Sequence, residues 1–151
     1  MKLLALCLAT GALSATLFAS SAYATCAAGS KTLFSCTTAK GKQIEVCDAG
    51  KTITYAFGSP QGKPEIALSV LRKEATTFQW AGLGRYLSYS VDIPNGKTTY
   101  SVFHGMDRIS KTHDVEAGVN VLTNGDLVAT VKCVGKNMVI NLEGVDLAAT
   151  P

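Results

Sequence analysis

Apolar and polar residues alternate along most of this chain with a period of two. Ile44 and Val46 share one face of Gln43–Cys47, and Ile53, Tyr55 and Phe57 share one face of 51–57. Ile66, Leu68 and Val70 continue the rhythm. From Tyr86 to Ile93, Leu87, Tyr89, Val91 and Ile93 alternate against Ser88, Ser90 and Asp92, and Tyr100 and Val102 answer them in Lys97–His104. Such alternation marks half-buried strands, because successive side chains leave opposite faces of a pleated backbone. Thr32–Thr37, Thr76–Trp80, Gly118–Leu122, Asp126–Cys133 and Asn137–Asn141 read as further strands, the last followed by a polar tail. Turns are expected at Lys40-Gly41-Lys42, Gly58–Pro64, Pro94-Asn95-Gly96 and, most strongly, Asn124-Gly125. The best helical segment, Glu65–Glu74, itself alternates and reads as a strand. The expected fold is all-β: a compact antiparallel meander of about eight strands, closed as a barrel or stacked as a sandwich to shield its edges.

The N-terminus departs from this pattern. Lys2 precedes an apolar Leu- and Ala-rich stretch, and Ser20, Ser21 and Ala22-Tyr23-Ala24 place small residues before a cleavage point. This order predicts a signal peptide over residues 1–24 and a single all-β domain over residues 25–151. A membrane anchor fits less well, because the run is short and broken by Thr10, Gly11, Ser14 and Thr16. Cys26 follows Thr25 and Tyr23 rather than a lipoprotein motif. The expected location is periplasmic or secreted.

Export changes the meaning of the cysteines. Of five, Cys7 leaves with the leader, and Cys26, Cys36, Cys47 and Cys133 remain. An even set in an oxidising compartment predicts two disulfides, with three possible pairings. Cys36 or Cys47 joined to Cys133 ties the first strands to the last, while Cys26 is either a partner or a spare thiol. No Cys-x-x-Cys pair supports zinc. The net charge of +3 falls to about +2 without Lys2, with no basic block to bind nucleic acid. No second apolar run is long enough to span a membrane.

Reactive groups are sparse. His104, Asp107, His113 and Asp114 are close in sequence and of types that bind divalent metals or act as acid and base. No metal motif frames them, and a solvated turn with ordinary surface charge accounts for them better. A cysteine nucleophile with His104 or His113 as base conflicts with disulfide formation. Gly82-Leu83-Gly84 is too short for a dinucleotide loop, and no Gly-x-Ser-x-Gly elbow occurs. Trp80 is expected to fill the core or its rim. The expectation is a non-enzymatic protein with no metal or cofactor.

The segment Trp80-Ala81-Gly82-Leu83-Gly84-Arg85-Tyr86 sets a glycine-rich bend between two aromatic strand ends. Glycine permits close approach of a partner, and Arg and Tyr are frequent interface anchors. Gly82, Gly84, Arg85 and Tyr86 are therefore the candidate partner-binding residues. The structural alternative is a bulge with Arg85 solvated and Tyr86 in the core. Around Gly84-Arg85-Tyr86 the chain resembles the small periplasmic lysozyme inhibitors of Gram-negative bacteria. Those are exported β-barrel-like domains with a disulfide linking early and late strands and a Ser-Gly-x-Arg-Tyr type loop that enters the lysozyme cleft. Here Gly82 and Leu83 stand where the family has Ser and Gly, so the loop lacks that hydroxyl. The chain also resembles uncharacterised exported proteobacterial proteins over Gly41–Cys47 and Tyr55–Gly58, which implies no activity. The resemblance implies an inhibitor whose protein partner is a lysozyme-like muramidase or related cell-wall toxin. The alternatives are an envelope interaction protein using an exposed edge strand, and a small metal-dependent hydrolase using His104, Asp107, His113 and Asp114.

Overall fold

A computed structural model describes residues 26–151. The leader expected at residues 1–24, with Cys7, lies outside the described residues. Ten strands follow one another: β1 (Lys31–Thr38), β2 (Gln43–Asp48), β3 (Thr52–Gly58), β4 (Ile66–Leu71), β5 (Thr76–Gln79), β6 (Tyr86–Asn95), β7 (Thr98–Asp107), β8 (Val115–Thr123), β9 (Asp126–Ile140) and β10 (Ala148–Ala149). They form one sheet in the order β10-β5-β6-β7-β8-β9-β1-β2-β3-β4. The fold is all-β and disulfide-bonded, a single sheet curled into a half-barrel rather than a closed barrel or a two-sheet sandwich.

The order exposes two antiparallel meanders, β1–β4 and β5–β9, joined where β9 pairs with β1. Tight turns set the registers. Thr123 pairs with Asp126 across Asn124-Gly125, whose φ values of 52° and 88° match a two-residue hairpin turn. The inward residues make one core. Phe34, Ile44, Val46, Ile53 and Tyr55 come from the first meander; Tyr89, Val91, Ile93, Val102 and Val119 come from the second. Tyr55 and Tyr100 stack at 4.9 Å between ring centroids, joining the two sets.

Cys36–Cys133 bridges β1 and β9 and staples the seam between the meanders. Cys26–Cys47 pins the N-terminal segment to β2, so Cys26 is not a spare thiol. Beside it Glu45 is buried, and desolvation pushes its carboxyl above the usual range, partly offset by a hydrogen bond from the Cys26 backbone N–H.

Several expectations need correction. Asn137–Asn141 is not a separate strand: β9 runs through Gly135, whose φ of 82° absorbs a bend, and so pairs first with β8 and then with β1. Glu65–Glu74 is a strand only to Leu71, then a 3-10 turn over Arg72–Glu74. The polar tail is structural: Leu142 and Val145 enter the core, and β10 pairs in parallel with β5, the exception to an otherwise antiparallel sheet. Leu147 also packs against the core, and these few apolar residues in a short polar segment carry no sustained periodicity, so only the tertiary structure reveals what they fill.

Candidate functional site: a paired loop tip

The β5–β6 connection carries Gly82, Gly84, Arg85 and the approach to Tyr86. Gly82 and Gly84 have φ values of 83° and 85°, a region L side chains rarely adopt, and open space surrounds both. The glycines therefore shape this loop and admit no close packing of their own.

The loop is held by its neighbour, residues 108–114 between β7 and β8. Arg85 makes a forked contact with Asp107, its Nε donating to both carboxylate oxygens at 2.8 Å and its Nη2 to Oδ2. The Arg108 backbone N–H donates to the Arg85 carbonyl at 3.0 Å. The Arg108 guanidinium lies 4.6 Å from the Trp80 ring centroid, a cation–π contact. Trp80 Nε1 donates to the Leu83 carbonyl at 2.7 Å, closing the loop on itself. Trp80 is half-buried against the core, so it fills the rim and also supports the tip. The Arg85 hydrogen bond and charge hold the Asp107 carboxyl below its ordinary range, and Asp107 in turn raises the guanidinium.

These contacts fasten two loops into one projection with two apolar points. Leu83 is 82 % exposed and Ile109 is 69 % exposed. Neither was singled out from the sequence; the legible signal was a lone aliphatic residue inside each of two glycine- or charge-rich turns. Tyr86 is neither a core residue nor fully free. It is 45 % exposed, and its hydroxyl donates to Glu116 Oε2 at 3.2 Å. Burial and then the Glu116 charge raise its phenol.

His104, Asp107, His113 and Asp114 do not converge. His104 is inside β7 with its ring stacked on Tyr89 at 5.4 Å, and burial lowers its affinity for a proton. Asp107 is committed to Arg85. His113 caps its own loop, its Nε2 3.1 Å from the Arg108 carbonyl oxygen. Among the described residues, the one group of three or more potential ligand atoms within 4.8 Å of one another is Cys26, Glu45 and Cys47, and two of these share a disulfide. None of the described helices is long and apolar enough to cross a membrane.

No protein-family model, no curated protein and no solved structure matches this chain.

Proposed function

We propose that this protein is an exported, periplasmic or secreted, non-enzymatic binding module that inserts the paired loop tip into a cleft of a protein partner. The observation that carries the reading is the exposure of Leu83 and Ile109 on two loops fastened by Arg85–Asp107 and Arg108–Trp80. Isolated apolar points on a flexible loop would lose much of their binding energy to ordering. A pre-organised tip avoids that cost. Arg85 adds a cation whose unused guanidinium N–H groups suit carboxylates in a partner cleft. The two disulfides fit an oxidising, extracellular-type compartment.

The first target class is a lysozyme-like muramidase, whose sugar cleft carries acidic groups. The disulfide-bonded protein should slow cell-wall lysis by at least one of c-, g- and i-type lysozymes. Changing Arg85 and Tyr86 together to Ala should remove that effect. No inhibition across the panel, together with no Arg85- and Tyr86-dependent partner in affinity capture from periplasm, would sink the reading.

A second reading, an envelope interaction protein, draws on β4. It ends the sheet and pairs only with β3, leaving a backbone edge for strand addition. Cross-linking that captures an envelope assembly through residues 66–71, with no muramidase, would favour it.

A further inference from the structure

The outward face of the second meander breaks its own pattern. Registers align Thr76, Asp92, Ser101, Asn120 and Thr130 in one row across β5 to β9. The next row is Phe78, Ser90, Phe103, Gly118 and Lys132. A face turned away from the core is expected to be polar throughout, and the first row obeys. The second does not: Phe78 is 49 % exposed, and Phe103 is half-buried. Neither belongs to the core or packs against it as part of that cluster. Places where a local rule fails without a structural gain are where function is expected.

The two phenylalanines stand two strands apart with Ser90 between them, about 9–10 Å by strand spacing. That spacing puts both rings within reach of one pyranose lying across the groove, with the buried Ser90 between their strands. They line a shallow groove of about 430 Å³ that also includes Tyr86 and the Ser88 and Ser101 positions. Gly105 sits under the Tyr86 ring, where an added Cβ would come within 2.6 Å of Cε1, so the absence of a side chain lets the tyrosine lie down on the sheet. At one end Glu116 joins three strands, accepting from Tyr86 at 3.2 Å and from Lys132 Nζ at 3.3 Å. At the other, Thr130 donates to Asn120 Oδ1 at 2.7 Å, which sets the amide nitrogen as the donor side.

We propose that this groove binds a neutral pyranose oligosaccharide. A sugar ring presents patches of C–H bonds and a rim of hydroxyls. The C–H patches suit the electron-rich faces of Phe78, Phe103 and Tyr86. The hydroxyls suit the donors and acceptors around the rings, namely Ser88, Ser101, Asn120 and the Glu116–Lys132 pair, whereas the buried Ser90 hydroxyl donates to Asp92. A wholly apolar occupant would strip water from those polar groups and replace none of the hydrogen bonds that they make to it. The groove shares Tyr86 with the loop tip but includes none of Leu83, Arg85 and Ile109, so variants at Phe78 and Phe103 on one side and Leu83 on the other tell the two apart.

The test is a nuclear magnetic resonance titration of the disulfide-bonded protein with three tetrasaccharides: β-1,4-glucose, β-1,4-N-acetylglucosamine and α-1,4-glucose. At least one should give saturable shifts on the backbone amides of Ser90, Ser101, Phe103 and Asn120. Phe78→Ser and Phe103→Ser should each weaken binding about tenfold or more, while Leu83→Ser leaves it unchanged. Phe78 lies on a half-exposed position, so its variant keeps the test valid if Phe103→Ser fails to fold. No saturable shift at about 10 mM sugar overturns the proposal. So do shifts confined to the loop tip. Shifts on the same amides caused only by raising protein concentration also overturn it, and assign the groove to a second copy of this chain.

Discussion

The two meanders use the same alternating pattern for opposite ends. In β1–β4 the inward face holds Phe34, Ile44, Val46, Ile53 and Tyr55, all at most 2 % exposed. Its outward face is closed down: Cys47 and Glu45 are buried by the N-terminal segment that the Cys26–Cys47 bond holds in place. In β5–β9 the core face is similar, but the outward face and the turns carry Phe78, Leu83, Tyr86 and Ile109 into solvent. Exposed apolar area has a cost in solubility, and in the first meander Leu71, at the end of β4, is the one large apolar side chain among the described residues that is left largely exposed. The difference separates a half that buries nearly all of its large apolar side chains from a half that exposes several, with the Cys36–Cys133 bond between them.

The largest test of that division is to cut the staples. Changing Cys36 and Cys133 together to Ala should cost about 4–5 kcal/mol, because the bond closes a long loop in the unfolded chain. The same change at Cys26 and Cys47 should cost about 3 kcal/mol. Denaturant unfolding measures both, and the reverse ranking would mean that the seam is held mainly by strand pairing. Next is a phenylalanine from each half. Phe34→Ala should cost about 3–5 kcal/mol as a buried cavity. Phe78→Ala should cost less than about 1 kcal/mol, because it is half exposed on the outward face. Similar losses would erase the distinction between the two halves.

Two smaller effects come from titration within the second meander. Burial lowers His104 from its ordinary value of 6.5, against the opposing charge of Glu143. The folded state therefore favours the neutral ring. Stability from this source is complete above pH 6.5 and is lost as pH falls from there through the lowered folded value. His104→Phe, which keeps a ring on Tyr89, should flatten the thermal-melt profile in that window. The Asp107 carboxyl is lowered from 3.8 by Arg85. The pair therefore persists above pH 3.8 and opens only as pH falls through the depressed value. A carboxyl carbon titration should place the midpoint below 3.8, and Arg85→Ala should move it upward with little change in the melting temperature. A midpoint at or above 3.8 in the unaltered protein would mean the two loops are not fastened at this point.

The candidate tip was legible in part. Gly82, Gly84, Arg85 and Tyr86 stand out because glycines between aromatic strand ends have few purely local uses. Their true setting was hidden. Asp107 and Arg108 lie more than twenty residues downstream of Arg85 by number, and only the β6–β7 register, which pairs Tyr86 with Asp107, brings them beside the loop. The same register turned Asp107 from a metal candidate into a partner for Arg85. The alternation that turned His104 inward, onto Tyr89 and Ala117, was present in the sequence but masked by the nearby charges.

By itself the sequence determined that this is an all-β chain, where its hairpins turn and that the four cysteines of residues 26–151 form an even set. Those properties are local: alternation, turn chemistry and counting depend on neighbours along the chain. The tertiary structure decided that β9 meets β1, that Cys36 meets Cys133 and Cys26 meets Cys47, and that Leu142 and Val145 close the core. It also decided that Phe78 and Phe103 face one another across Ser90. Each of these joins residues far apart along the chain, and their pairing depends on strand order and register, which alternation alone leaves open because every strand carries the same period.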